Sequence, residues 1–319
     1  MNDSLTVLIP SYEDWDSIKL LLPQIESFLK EYSKILHIVI VNDASPTVAP
    51  EDLGKSLVSE FTTFRIVNLT RNLGHQRAIA IGLSFINSEI SPHGAVTVMD
   101  ADGEDAPKDI PKLLDKISRG DLSGIVFAER RRRSESKAFR IGYFLYKIFH
   151  LILTGRKIKV GNFSMISEQQ LKNVITISEL WNHYAAAVIV ARIPVSMVRI
   201  DRAQRICGKS KMNYSQLVLH GLKAISVYSE EIGVRILFAM GATACVFTFV
   251  LIGVAFCYIA GIQIALGFAF ALALLIILFL VVALTFLQFT LLVLQGRSMT
   301  SFIPARDYFH FIARVDLIK

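Results

Sequence analysis

The segment Val98-Met99-Asp100-Ala101-Asp102-Gly103-Glu104 ends an apolar run in carboxylates spaced two residues apart. In an extended chain, residues i and i+2 point to the same side. Asp100 and Asp102 are therefore expected to face one crevice, with Glu104 close behind if the chain turns at Gly103. Such a cluster repels a nucleotide diphosphate by roughly 1 to 4 kcal/mol per charge pair at contact distance. A divalent cation reverses that sign, and Mg2+ or Mn2+ is usually held by one or two carboxylates together with the substrate's own phosphates. The tripeptide alone also fits a plain polar strand end, so its surroundings have to decide.

Those surroundings are loops at strand ends. Apolar, β-branched runs at Leu5 to Pro10, Ile35 to Val41, Phe64 to Leu69, Ala95 to Met99 and Gly124 to Ala128 read as buried strands. Helical patterns at Ile18 to Tyr32, Gly74 to Phe85 and Pro107 to Ile117 alternate with them, which predicts an α/β domain with a mainly parallel sheet. Ligands of such sheets bind beyond the carboxyl ends of the strands. That rule groups Pro10-Ser11-Tyr12-Glu13-Asp14, Asn42-Asp43-Ala44-Ser45-Pro46 and the acidic cluster into one pocket, suited to a nucleotide with its metal. Taken alone, Asp43 could simply start a turn. In Asn68 to Ala78 a turn opens a small-residue helix whose backbone donors, with Arg71 and Arg77, could face phosphate. His75 reads equally as a surface or cap residue. Asp105, just ahead of Pro107, reads as a helix cap.

The elements that position these loops occupy the first two thirds of 319 residues; the remainder is different in kind. Hydrophobic residues make up 53% of the chain, too many for an ordinary soluble protein, and the excess lies at one end. From Ile236 to Gly296 there is no Asp, Glu, Lys or Arg, room for two helices of the roughly 20 residues each that a membrane span needs. A break is expected near Gly261-Ile262-Gln263. The expected division is a cytoplasmic domain over 1–230, spans at about 234–260 and 264–294 within 231–296, and a cytoplasmic C-terminal tail over 297–319. Met1-Asn2-Asp3-Ser4 has no basic segment followed by an apolar core, so no secretory peptide is expected. The uncharged hairpin turn, with Arg235 before the first span and Arg297, Arg306 and Arg314 after the second, places both ends of the hairpin on the cytoplasmic side of a plasma or inner membrane.

Cys207, Cys245 and Cys257 have no metal-ligand spacing and read as packing residues. A net charge of +7 finds its simplest partner in anionic lipid, and without an aromatic-interleaved basic platform no nucleic acid is expected. Residues 138–154, apolar with interspersed Lys and Arg, are too short and too charged to span and fit an interfacial helix, with a buried core helix as the alternative. A second juxtamembrane helix is expected over 212–230. Arg202 to Lys211 is not a phosphate-binding Walker loop, because Ala203 stands where glycine is required.

The order Pro-Ser-Tyr-Glu-Asp, Asn-Asp-Ala-Ser, Asn-Leu-Gly-His, Asp-Ala-Asp-Gly-Glu-Asp and Gly-Lys-Ser-Lys resembles the inverting family 2 glycosyltransferases with the GT-A fold. With two C-terminal spans, the chain is similar over nearly its whole length to the dolichol-phosphate mannosyltransferase and bacterial polyprenyl-phosphate glycosyltransferase branch. The resemblance implies transfer of a sugar from a UDP- or GDP-linked donor to a polyprenyl phosphate, with Mg2+ or Mn2+. It also implies possible homo-oligomers. Pro10, Tyr12, Glu13 and Asp43 match positions holding base and ribose, and Asp100, Asp102 and Glu104 match an Asp-x-Asp-x-Gln that binds diphosphate and metal. Glu104 in place of Gln remains a hard oxygen ligand.

The resemblance further implies that Arg130, with Arg133 and Arg140, clamps the acceptor phosphate, for which guanidinium groups are suited by paired hydrogen bonds. Arg205, Lys209 and Lys211 are implied near the departing diphosphate, although Lys211 could equally meet lipid headgroups. Gly161-Asn162-Phe163-Ser164-Met165 aligns with Gly-Asp-Phe-Arg-Leu, whose Asp lies near the reacting centre. Asn162 cannot take up a proton; a phosphate acceptor, with a second pKa of about 6, needs no base to ionise it. Two rival readings remain at this point. A processive polysaccharide synthase is disfavoured by the small number of spans and by Trp15 and Trp181 lying outside its Gln-x-x-Arg-Trp motif. A non-catalytic membrane scaffold draws its support from Asn162 and Ser164.

Overall fold

The computed structural model of this chain describes residues 2–90, 94–119, 124–130, 137–156, 160–201, 203–207, 214–261, 266–298 and 302–319. They divide into two compact units, one of residues 1–149, 156–227 and 302–319, the other of 150–155 and 228–301. The strands are β1 (Asn2–Ser11), β2 (Ser33–Asn42), β3 (Thr62–Leu69), β4 (Gly94–Val98), β5 (Ile125–Arg130), β6 (Ser164–Ile166), β7 (Val195–Ile200) and β8 (Ile312–Leu317). The helices are α1 (Trp15–Leu29), α2 (His75–Phe85), α3 (Ile110–Arg119), α4 (Lys137–Thr154), α5 (Glu168–Val174), α6 (Tyr184–Val190), α7 (Tyr214–Ser226), α8 (Ser229–Ile259), α9 (Leu266–Ser298) and α10 (Pro304–Asp307).

One sheet carries the first unit, in the order β7-β5-β6-β4-β1-β2-β3-β8. Strands β4, β1, β2 and β3 are parallel neighbours, β6 runs antiparallel between β4 and β5, and β8 runs antiparallel along β3. The central strands are apolar without alternation because both faces are covered, as parallel sheets require. Their period of two still sorts the side chains: Ile38 and Ile40 enter the core under α1 with Ile18, Leu21 and Leu22, whereas Val39 and Val41 enter the opposite core with Ala78, Ile79 and Leu83 of α2.

The five expected strands are all present, and the mainly parallel α/β architecture is as the sequence predicts. Two local expectations change. The extended geometry that was to align Asp100 with Asp102 stops at Val98; residues 101–105 are turns and bends, with Gly103 at φ +80°. Within the segment expected as a tail over 297–319, α9 runs on to Ser298, and residues 302–319 return to the first unit and end in β8. The return is held by Phe64 N–H donating to Lys319 O (2.8 Å), by Thr70 N–H donating to Phe311 O (2.9 Å) and by the rings of Trp181, Phe302 and Phe311. Without β8 the apolar strand β3 would present an unpaired edge, which folded sheets generally cover.

In the second unit α8 and Phe270–Phe289 of α9 are long and apolar enough, by length and composition, to cross a membrane. Among the described residues of α4 and α7, the apolar side chains Phe149, Ile152, Leu219 and Leu222 are exposed. The cysteines are unpaired.

Gly82 lets α2 lie directly on β1 and β2: a Cβ there would overlap the side chains of Leu8 and Val41. Gly82→Ala is expected to destabilise the chain by about 1–3 kcal/mol, the usual cost of overpacking, seen as a lower Tm in detergent. An unchanged Tm would mean that α2 is not seated so closely.

Candidate active site

The sheet has a switch point between β1 and β4: from β1 the chain proceeds to β2 and β3 on one side, then crosses back to β4 on the other. Ladder pairing between β1 and β4 ends at Leu8 with Val98, while β1 and β2 stay paired through Ser11 and Asn42. Pro10, which has no N–H to give, therefore sits beyond the last rung shared with β4. A crevice at such a point is where open α/β sheets bind ligands. The Pro10–Asp14 and acidic loops flank it, and the Asn42–Thr47 loop adjoins them.

Hydrogen bonds tie these loops to each other. Glu13, in the left-handed region at φ 60°, donates its N–H to Ser45 Oγ (2.9 Å), and its carboxylate accepts from Thr47 N–H (2.9 Å) and from the Thr47 hydroxyl. Trp15 Nε1 donates to Thr47 O (3.1 Å), and Tyr12 is 40% exposed at the crevice. The buried Asp43 accepts N–H from Leu73 (2.7 Å) and Gly74 (2.8 Å), one on each oxygen. Burial pushes its carboxyl above the usual value against the pull of those two amides and of His75 and Arg77. Glu13 and Asp43, for which the resemblance implies a nucleotide, are in the structure the anchors of the loops around the crevice. From Asn42 a polar ladder continues through Asn68 to Asp316 of β8, by contacts of 2.9 and 2.8 Å.

The acidic motif is held by its own turn and by a loop following β7. Asp100 N–H donates to Asp105 Oδ2 (3.0 Å) and Glu104 N–H to Asp102 Oδ1 (3.0 Å). Asp105 thus closes the motif, whereas the expected cap position ahead of Pro107 is taken by Ala106. Ala203 N–H donates to Glu104 O (3.1 Å) and Ile206 N–H to Asp102 O (3.0 Å), laying residues 203–206 along the motif. Arg205 reaches in to pair with Asp102 Oδ2 at 2.5 Å and stands 4.0 Å from Glu104. Ile206 lies so close over Gly103 that a Cβ there would overlap it. Among the described residues no three His, Cys, Asp or Glu side chains gather as a metal-ligand set, so Asp100, Asp102 and Glu104 do not form the cage that a protein-only site needs. Hard carboxylate oxygens at Asp100 and Asp102 still fit Mg2+ or Mn2+ in the manner that leaves other positions to phosphates and water.

Across the crevice lies Asn162. His75 Nε2 is 3.2 Å from Asp100 Oδ1 and 2.9 Å from Asn162 Nδ2, Gln76 Nε2 donates to Asn162 Oδ1 (3.2 Å), and Tyr184 N–H donates to Gln76 Oε1 (2.7 Å). Burial pulls the imidazole of His75 down, but the charge and hydrogen bond of Asp100, with Asp105 and Asp43, outweigh it and raise its pKa above the ordinary histidine value. Ser164, buried in β6, pairs its hydroxyl with Tyr184 Oη (2.7 Å) and donates to Asn162 O (2.9 Å). His75, Gln76 and Tyr184 were not singled out as site residues from the sequence. A glutamine among the small and apolar residues of a helix is a signal for the second; the backbone N–H by which Tyr184 meets it offers none.

The expected basic residues are placed unevenly. Arg205 is at the motif; Arg130 ends β5 in register with Ile200, and Arg140 falls within α4. Arg133, Lys209 and Lys211 lie outside the described residues.

Residues 6–174, more than half of the chain, match the Glycosyl transferase family 2 model, and the chain belongs to that family. It is 27% identical over 235 residues to an uncharacterized glycosyltransferase of Synechocystis, covering 72% of this chain and 70% of that one. It is also 25% identical over 230 residues to the bactoprenol glucosyl transferase of Shigella phage SfV, covering 70% and 72%. A shorter stretch of 130 residues is 32% identical to the undecaprenyl-phosphate 4-deoxy-4-formamido-L-arabinose transferase of Pseudomonas aeruginosa, covering 40% and 37%. Among solved structures, glucosyl-3-phosphoglycerate synthase from Mycobacterium tuberculosis, in complex with Mn2+, UDP-glucose and phosphoglyceric acid, superposes with a TM-score of 0.54 over 72% of this chain and 80% of that one. At 12% identity that likeness concerns the fold.

Asp43→Asn removes one acceptor from a buried pair of N–H contacts and sets an NH2 against a backbone donor. A loss of about 1–3 kcal/mol in stability is expected, together with faster amide exchange at Leu73 and Gly74. Native exchange at both amides would show that Asp43 does not hold this loop.

Proposed function

We propose that this glycosyltransferase moves a sugar from a UDP- or GDP-linked donor to a polyprenyl phosphate at a membrane face, with inversion at the anomeric carbon. The observation that carries the reading is the path of the chain: the unit bearing the crevice is left after Val227 and re-entered at Phe302, and all that intervenes is dominated by two apolar helices. Helices that leave and rejoin the same folded unit start and finish on one side of a bilayer, in keeping with the arginines flanking an uncharged turn. That side is the cytoplasmic one, with α4 and α7 lying in the interface as amphipathic helices do. The names of the phage and Pseudomonas relatives, which specify bactoprenol and undecaprenyl phosphate, support the acceptor. The M. tuberculosis neighbour's UDP-glucose supports the donor.

In this reading Pro10, Tyr12, Glu13 and Asp43 border the base and ribose, and Asp100 and Asp102, with Glu104 nearby, border the diphosphate. A bound Mg2+ or Mn2+ ion would supply charge neutralisation there. Arg130, Arg133 and Arg140 hold the acceptor phosphate through paired hydrogen bonds. A phosphate oxygen forms the new bond to the anomeric carbon as the bond to the diphosphate breaks, and the electron pair leaves with the diphosphate. Arg205 exchanges its bond to Asp102 for one to that leaving group, aided by Lys209 and Lys211, and so stabilises charge where it develops. No proton has to be removed, because the acceptor is already largely ionised near neutral pH. Membrane attachment confines the chain to the surface where a lipid-bound acceptor lies, which favours their encounter. The second reading, a non-catalytic membrane partner that keeps the fold, is favoured only by the amide at Asn162 and the hydroxyl at Ser164.

Purified full-length chain in detergent, given UDP- and GDP-sugars, Mn2+ and undecaprenyl phosphate, is expected to form a glycosyl lipid from at least one donor. Asp102→Asn should lower kcat/KM by about a hundredfold or more, the scale of losing one preorganised charge-stabilising contact. If no donor yields product while a relative is active in the same assay, the transferase reading fails and the scaffold reading gains.

A further inference from the structure

Ala44 holds a backbone conformation that side chains avoid. Its φ is 54°, in the left-handed region, and a residue other than glycine stays there only where its surroundings fix it. The turn is fixed from Asn42, whose backbone oxygen accepts Ala44 N–H (2.8 Å) and whose Oδ1 accepts Ser45 N–H (3.1 Å). Asn42 is buried, and its Nδ2 donates to Asn68 Oδ1 (2.9 Å), while Asn68 Nδ2 donates to Asp316 Oδ2 (2.8 Å). The row follows the sheet: Asn42 and Asn68 are ladder partners of β2 and β3, and Asp316 stands on β8 two residues beyond Arg314, the partner of Asn68. Amide orientation is ambiguous when read from shape alone. Here both ends of the row are committed, because Ser45 N–H can only donate and the Asp316 carboxylate can only accept. Each carboxamide between them turns its oxygen toward the crevice loop and its NH2 toward β8.

We infer that Asp316 is a positioning residue for the donor's nucleoside, holding through Asn68 and Asn42 the turn that carries Asp43 and Ser45. The inference rests on the proposed nucleotide-sugar donor and adds to its binding a residue of the C-terminal strand, which the chain reaches only after both apolar helices. Ser45 in turn accepts Glu13 N–H at its Oγ (2.9 Å), so the same row of contacts continues into the second loop proposed to border base and ribose. The row passes through Asp316, Asn68, Asn42 and Ser45 and does not include Asp100, Asp102 or Glu104. Its loss weakens the hold on the nucleoside and spares the hold on the diphosphate, a division that general loosening of the fold would not give. What Asp316 supplies is an acceptor. Asparagine at position 316 keeps one in its carbonyl oxygen, whereas alanine keeps none. Arg314 Nε stands 3.2 Å from the same Asp316 oxygen but is not a member of the row.

The test uses full-length chain in detergent with Mn2+, and measures equilibrium binding of UDP, GDP and pyrophosphate. Asp316→Ala and Asn68→Ala are each expected to weaken binding of the nucleoside diphosphate that wild type takes by about threefold to tenfold, the span of one net hydrogen bond. Pyrophosphate affinity should stay within about twofold of wild type, as for sites that share no partner. The double variant should lose no more than the larger single loss, because residues acting through one contact are not additive. Asp316→Asn and Arg314→Ala should keep wild-type affinity, and amide exchange at Ser45 should quicken in Asp316→Ala and stay native in Asp316→Asn. Undiminished nucleoside diphosphate affinity in Asp316→Ala, equal losses for nucleotide and pyrophosphate, or Asp316→Asn behaving as Asp316→Ala overturns the inference. If Asp316→Ala does not fold, Asn68→Ala decides by the same comparison of nucleotide with pyrophosphate. A wild-type chain that binds pyrophosphate but neither nucleotide refutes the donor reading and the inference with it. A chain that shows the expected split and forms no glycosyl lipid refutes the transfer reading alone.

Discussion

A crevice lined by several carboxylates has first to hold those carboxylates together. Asp43, Asp100, Asp102, Glu104 and Asp105 converge on one end of the sheet, and all but Asp105 face a compensating group from elsewhere in the fold. Asp43 has two backbone amides of the loop before α2, Asp100 has His75, and Asp102 has Arg205, which also stands near Glu104. Asp105 accepts from the backbone of Asp100. At contact distance each uncompensated pair of like charges would cost roughly 1 to 4 kcal/mol in a partly solvated setting. The loop of residues 203–207, the N-terminal turn of α2 and the loop after β2 are thus required by the acidic motif as much as by any ligand.

That requirement explains why the strand-end loops were legible in the sequence and the surroundings of Asn162 less so. Asp-x-Asp, Asn-Asp and Pro-Ser-Tyr-Glu follow uninterrupted β-branched runs, and the rule that ligands lie beyond the carboxyl ends of parallel strands gathers them without knowledge of side-chain contacts. The same local signals located β1 to β5 and the helices between them. They could not locate β6, only three residues long and defined by antiparallel pairing with both β4 and β5. Nor could they locate β8: Ile-Ala-Arg-Val-Asp-Leu follows the long apolar segment and reads as a basic tail until β3, far away in sequence, is seen to need a partner. The extended geometry assumed for Asp100 and Asp102 was wrong for a local reason: β4 ends at Val98 and residues 101–105 are turns and bends, while the turn allowed for at Gly103 is present.

Around Asn162 the informative contacts are made by the backbone or by residues with several ordinary roles. Tyr184 offers an N–H, Gln76 a buried carboxamide, and Ser164 a hydroxyl shared with a buried tyrosine. None has a recognisable spacing. What the sequence did give was the departure itself, Asn162 and Ser164 where the resemblance implies Asp and Arg. In the structure the Asn162 side chain meets Gln76 and His75, and the Ser164 hydroxyl meets the buried Tyr184.

The central claim is that Asp102 takes part in binding a metal–diphosphate pair and is not merely the partner of Arg205. Electron paramagnetic resonance of Mn2+ titrated into the full-length chain, with and without UDP or GDP, addresses it directly, because free and bound Mn2+ give distinct signals. The account expects Mn2+ to bind weakly alone and more tightly with a nucleoside diphosphate, as befits a site completed by phosphate oxygens, and expects Asp102→Asn to abolish the nucleotide-dependent gain. Mn2+ binding that ignores the nucleotide, or a gain that survives in Asp102→Asn, would contradict it.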